Sequence, residues 1–123
     1  NDNGIIIIEQ PEVHIHPKMQ SDLADLFVSL IKSSNKRFII ETHSEAFLKR
    51  LRRRISESEE KLPTSIESKD VSLYFVEKKK YKNRNSYSKL IPIEISKKGM
   101  FDWPKDFKDN DIEDTIEFMK RQG

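Results

Sequence analysis

A carboxylate, a carboxamide and an imidazole close two short apolar runs of this sequence. Glu9 and Gln10 follow Ile5-Ile6-Ile7-Ile8, and His43 follows Phe38-Ile39-Ile40-Glu41-Thr42. Gathered in one place, such groups can hold a hard cation, orient a water and reach a phosphate oxygen. His14 and His16 lie just after the first run and suggest a different chemistry, a transition-metal hydrolase built on two imidazoles. His43 is the only other histidine, and a barrel hydrolase of that kind needs about 250 residues. The chain has 123 residues and no cysteine, so thiolate ligands and disulfides are excluded.

The order of elements decides whether these groups can meet. The isoleucine run, bounded by Gly4, reads as a strand covered on both faces, as in parallel sheets. Pro17 suits a first helical turn, and Leu23, Leu26, Phe27, Leu30 and Ile31 follow helical spacing, with Asp22 and Asp25 on other faces. Ser33-Ser34-Asn35 ends that helix. Phe38-Ile39-Ile40 reads as a second strand. Thr42 with Glu45 matches a capping box, opening a helix whose apolar stripe is Phe47, Leu48, Leu51 and Ile55. This is a βαβα unit with parallel strands and a right-handed crossover. In such sheets ligands bind beyond the carboxyl ends of the strands, where helix N-termini also point. Glu9, Gln10 and His43 are therefore expected on one rim.

Beyond the unit, Ser56 to Asp70 is polar, carries Pro63, and reads as a loop. Val71 to Val76 and Ser86 to Ile95 read as strands joined through an exposed basic tip, Lys78 to Asn85, which carries Tyr81. Pro92 lacks a ladder donor, so its strand belongs at an edge or carries a bulge. Phe101, Trp103 and Phe107 suggest a small satellite core, and Ile112, Ile116 and Met119 lie on one side of a terminal helix. The predicted fold class is α/β: a βαβα unit with parallel strands, then a β-hairpin and a terminal helix. The expected division is residues 1–60 and 61–123.

Composition narrows the function classes. Hydrophobic residues make up 35% and charged residues 36%, which predicts a modest core and a well-solvated surface. A net charge of +2, from 23 basic and 21 acidic residues, points to no particular partner. Apolar runs fall far short of the ~20 residues that cross a bilayer, so no membrane association is expected. No basic n-region precedes an apolar stretch near Asn1, and the absence of cysteine fits a reducing cytoplasm, the expected location. Lys49, Arg50, Arg52, Arg53 and Arg54 read first as a solvated helix face complementing the helix dipole. With the basic hairpin they also allow a non-enzymatic module that binds nucleic acid or protein.

The segment Ile5-Ile6-Ile7-Ile8-Glu9-Gln10-Pro11-Glu12-Val13-His14-Ile15-His16-Pro17 resembles the Walker B and D-loop stretch of ABC-type ATPases of the SMC/OLD-like "AAA" group. Phe38-Ile39-Ile40-Glu41-Thr42-His43-Ser44 resembles the H-loop strand of the same group, in the same order and spacing. The similarity covers roughly residues 5 to 55. The stretch from Gly99 to Pro104 resembles an uncharacterised C-terminal domain that follows in one branch. The resemblance implies ATP and Mg²⁺ as ligands and the C-terminal half of a P-loop ATPase sheet. It implies that Glu9 holds Mg²⁺, that Gln10 stands where most relatives have a catalytic glutamate, and that His43 is the switch histidine at the γ-phosphate. It further implies that His14 and His16 face the partner across a homodimer, and that the parent acts in DNA metabolism or phage defence.

Two departures matter. A carboxamide at Gln10 orients a water but cannot take its proton, so hydrolysis is slow unless Glu12 or another base helps. The glycines are Gly4, Gly99 and Gly123, none within the G-x-x-x-x-G-K-[ST] pattern whose amides wrap phosphates. With a core strand so close to Asn1, the expectation is a piece of a larger ATPase domain, inactive without the rest of that domain.

Overall fold

The computed structural model describes residues 4–80, 86–102, 118 and 120–122. Strand β1 spans Ile5–Glu9, helix α1 Pro17–Ser33, strand β2 Arg37–Glu41 and helix α2 Glu45–Ser56. Two single 3₁₀ turns, Ser58–Glu60 and Ser68–Asp70, lead to strands β3, Leu73–Lys80, and β4, Ser86–Ile93. β1 and β2 pair in parallel, from Ile5 opposite Arg37 to Glu9 opposite Glu41. β3 and β4 form an antiparallel ribbon in unbroken register, Leu73 opposite Ile93 to Lys80 opposite Ser86. The α/β class and the parallel pairing are as predicted. Residues 81–85 of the expected hairpin tip, Tyr81 included, the cluster around Trp103 and Phe107, and the terminal helix through Ile112, Ile116 and Met119 lie outside the described residues.

The parallel sheet is covered on one face only, unlike the two-sided burial that its isoleucines suggest. Ile6, Ile8, Phe38 and Ile40 turn toward α1 and α2, while Ile5, Ile7 and Ile39 stay 60%, 69% and 56% exposed. A four-isoleucine run cannot announce this difference, because both of its alternating faces are equally apolar. Two helices lie on one side of the sheet, and no described residue lies over the other.

Beneath the sheet, Phe27 of α1 sits at the centre of the core with Ala24, Phe47 and Leu48, and Ile8, Leu23, Phe38, Ile40 and Leu73 pack around them. The Phe27 ring meets Phe38 edge-on at 5.6 Å and tilts against Phe47 at 6.0 Å, both favourable aromatic geometries. The buried stripe of α1 is Ser21, Ala24, Phe27 and Val28, rotated from the one expected. Leu26 and Leu30 face outward. Small residues at positions 21 and 24 let α2 approach, so helix–helix contact rather than maximal hydrophobicity sets the facing side.

Below this lies a second cluster of Val28, Ile55 and Ile66, completed by Ile31, Leu51, Val71 and Ile95. The Lys32 ammonium holds the loop over it, donating to the carbonyls of Leu62, Pro63 and Ser65 at 3.5, 3.1 and 2.8 Å. In β4, Pro92 lies opposite Tyr74 in a two-stranded ribbon, where an edge position is available to it. Lys78, Lys79 and Lys80 belong to β3 rather than to the turn.

Gly99 closes the turn after β4. Its N–H donates to the Ser96 carbonyl at 2.9 Å, and its φ is +83°. A Cβ there would stand 2.6 Å from the Arg52 carbonyl oxygen and 3.3 Å from the Ile55 Cβ. Both the left-handed backbone and the close approach to α2 require glycine. Gly99→Ala is expected to destabilise the fold by about 2 kcal/mol, read as a lower urea midpoint. An unchanged midpoint would mean the turn is not seated on α2.

The basic run of α2 departs from its sequence reading as a solvated face. Lys49 is only 1% exposed and Arg52 is buried, its guanidinium lying 4.5 Å over the Phe118 ring. Lys49 Nζ lies 3.8 Å from the Glu45 carboxylate. Arg50 and Arg54 both bond Asp25 of α1. Arg54 also pairs with Glu57, which Arg121 approaches in turn. Much of the basic run thus joins elements of the fold.

Candidate functional site

Parallel pairing brings the carboxyl ends of β1 and β2 to one rim, with Glu9 and Glu41 side by side in register. The Gln10 N–H donates to the Glu41 carbonyl at 2.7 Å, carrying the pairing one residue past the strand. His43 follows two residues after Glu41, and α2 begins at Glu45 beside it. Glu9, Gln10 and His43 thus stand at the same edge, and Glu9 and His43 are exposed there.

The backbone beyond β1 is tightly wound. Gln10 has φ +47° and His14 φ +68°, left-handed conformations that cost a non-glycine residue about 1 kcal/mol each. Two hydrogen bonds hold the turn: Val13 N–H to the Gln10 carbonyl at 3.1 Å and Ile15 N–H to the Glu12 carbonyl at 3.0 Å. His14 projects at its exposed crest. His16 has a local task, since its Nδ1 accepts the Lys18 N–H at 3.2 Å and caps α1.

Glu12 is the residue that reasoning from sequence undervalued. It is 7% exposed, and both carboxylate oxygens are engaged. Oε1 accepts the Thr42 hydroxyl at 2.8 Å and Oε2 accepts the His43 N–H at 2.9 Å. Both oxygens of this carboxylate are thus bonded to the loop between β2 and α2. A useful signal was available: the loop between β2 and α2 carries N–H groups that need acceptors, and Glu12 is the acid in the neighbouring turn.

Thr42 does not cap α2, as the capping-box pattern suggested. The cap is Ser44, whose hydroxyl accepts the Phe47 N–H at 3.0 Å and donates to Gln20 Oε1 at 2.7 Å. Thr42 instead accepts the Ser44 N–H at 3.0 Å while donating to Glu12. Gln20 also donates to the Ile15 carbonyl at 3.3 Å. The turn after β1, the start of α1 and the loop before α2 are therefore one hydrogen-bonded unit, with His43 at its outer edge.

Glu9 and Glu41 give the rim two neighbouring carboxylates, oxygen donors of the kind that suit a hard divalent cation such as Mg²⁺. Among the described residues, no group of three or more His, Asp or Glu could hold a metal unaided. Mg²⁺ tolerates this, since it keeps several waters and takes one or two carboxylates together with substrate phosphates. A transition-metal site on His14 and His16 lacks a third ligand among the described residues, and the cap occupies one nitrogen of His16. A cavity of about 400 Å³ opens at the far end of α1, beside Ile31, Lys32 and Ile66, away from these groups. Among the described residues, no helix is long and apolar enough to cross a membrane.

No curated protein and no solved structure matches the chain. Residues 1–48, which carry β1, the wound turn, α1, β2 and His43, match the family model of an AAA ATPase domain.

Proposed function

We propose that the chain is part of an ABC-type ATPase of the SMC/OLD-like group and supplies the cation, water and switch positions of its ATP site. The reading rests on one observation above all: Glu9, Gln10 and His43 share the rim of a parallel strand pair, within the segment that matches an AAA ATPase domain. An AAA ATPase domain uses nucleotide and Mg²⁺. Bound there, Mg²⁺ would neutralise phosphate charge and polarise the bond to be broken. Glu9 would hold it, with Glu41 beside it able to take one of its waters. Gln10 orients the attacking water through its carboxamide and leaves the proton to bulk solvent or phosphate, so turnover is slow. The exposed imidazole of His43 reaches the γ-phosphate and reports its presence to α2 through the adjoining cap. The phosphate-wrapping amides come from the remainder of the ATPase domain, which also covers the open face of Ile5, Ile7 and Ile39. His14, on the crest of the turn, faces a second copy in an ATP-bridged dimer, with His16 at its base. Service in DNA metabolism or phage defence follows from the family resemblance.

The experiment is Mg²⁺-dependent ATP hydrolysis by the intact protein that contains this segment. Glu9→Ala and His43→Ala are each expected to lower turnover at least about tenfold, equivalent to about 1.4 kcal/mol of barrier. Wild-type turnover in both variants would refute the assignment.

A further inference from the structure

The buried carboxylate of Glu12 has no part in the proposed chemistry, yet it joins the wound turn to the His43 loop through two side-chain hydrogen bonds. We infer that Glu12 is a positioning residue: it fixes the loop that presents His43 and ties that loop to the turn carrying His14. The inference rests on the ATPase reading only for its catalytic consequence, and the clamp itself stands on geometry.

Three observations carry it. The bond to His43 is to the backbone N–H, so Glu12 sets where the residue sits without constraining its imidazole. The carboxylate grips both ends of a short span, the Thr42 hydroxyl and the His43 N–H, and Thr42 passes the hold on to the Ser44 N–H at 3.0 Å. Hydrogen bonds accepted by an ionised carboxylate are stronger than neutral ones, and at 7% exposure little water competes for them. Glu12 itself lies within the turn bounded by the left-handed Gln10 and His14. Any displacement of that turn by a partner surface moves the carboxylate and therefore His43. Contact at His14 and contact at His43 are thus coupled through one side chain.

Amide hydrogen exchange followed by NMR tests the clamp. In Glu12→Ala the His43 amide is expected to exchange at least about tenfold faster, while the Ile39 and Ile40 amides of β2 keep their protection. Glu12→Gln retains an oxygen for the His43 N–H and should restore exchange to within about threefold of wild type. If Glu12→Ala fails to fold, Thr42→Val removes one arm of the clamp, and about threefold faster exchange at His43 is expected. Wild-type exchange at His43 in the folded variants overturns the proposal. In the intact ATPase, Glu12→Ala should lower kcat several-fold with KM for ATP little changed, and Glu12→Gln should recover most of it. Exchange that responds while His43→Ala leaves turnover intact would sink the ATPase reading and preserve the clamp. Exchange that stays fixed while His43→Ala abolishes turnover would do the reverse.

Discussion

Phe27→Ala is expected to lose about 4 kcal/mol of stability, a large part of the ~5–15 kcal/mol available to a domain of this kind. Phe27 belongs to the buried cluster formed with Ala24, Phe47 and Leu48, and its ring touches Phe38 and Phe47. Truncation removes apolar surface and both aromatic contacts. The cavity left cannot collapse easily, because a parallel strand pair and two helices frame it. Urea unfolding should show a lower midpoint with an unchanged slope, the sign of lost stability rather than a changed denatured state. Leu26→Ala is the control. Leu26 is one residue away and just as apolar but 52% exposed, and its loss should fall within about 0.5 kcal/mol. Similar effects at both positions would mean α1 packs by another face.

The second large effect is expected at Asp25. Its carboxylate takes Arg54 in a two-pronged contact, Nε to Oδ1 at 2.7 Å and Nη2 to Oδ2 at 3.0 Å, and Arg50 at 2.7 Å. The two arginine side chains are 14% and 16% exposed. Asp25→Ala therefore removes the carboxylate that two partly buried guanidinium groups share, leaving Arg54 with Glu57 and Arg50 beside the exposed Asp22, at an expected cost of about 3 kcal/mol. Asp25→Asn keeps the shape and loses the charge, and about half of that cost is expected.

The same site predicts a pH dependence. Burial by itself raises the Asp25 carboxyl, but hydrogen bonds from Arg54 and Arg50, with their charges, outweigh it and hold the group below its ordinary range. The Arg54 guanidinium is raised in turn, chiefly by its bond to Asp25. A carboxyl lowered on folding contributes stability that is full above its unfolded value, about 3.9. That contribution is lost as pH falls through the lower folded value. The difference between wild type and Asp25→Ala should therefore be constant from pH 6 to 8 and shrink below about pH 4. A difference that grows on acidification would contradict the pairing.

The sequence by itself determined the order of β1, α1, β2 and α2, the parallel strand pair and the rim on which Glu9, Gln10 and His43 lie. These follow from local patterns: two β-branched runs separated by one helix-length stretch, with chemistry-bearing residues at the run ends. Pro17 at the start of α1 and Ser33-Ser34-Asn35 at its end marked the limits of that helix. Only the tertiary structure decided which sheet face is covered, because Ile5 and Ile6 are identical to any local rule and differ only in what lies above them. It alone revealed the direction of the α2 arginines, since Asp25, the partner that draws Arg50 and Arg54 inward, lies on another helix. Glu12 was hidden for the same reason. Its two donors come from a loop across the strand pair, and a hydrogen bond between segments distant in sequence leaves no periodic trace.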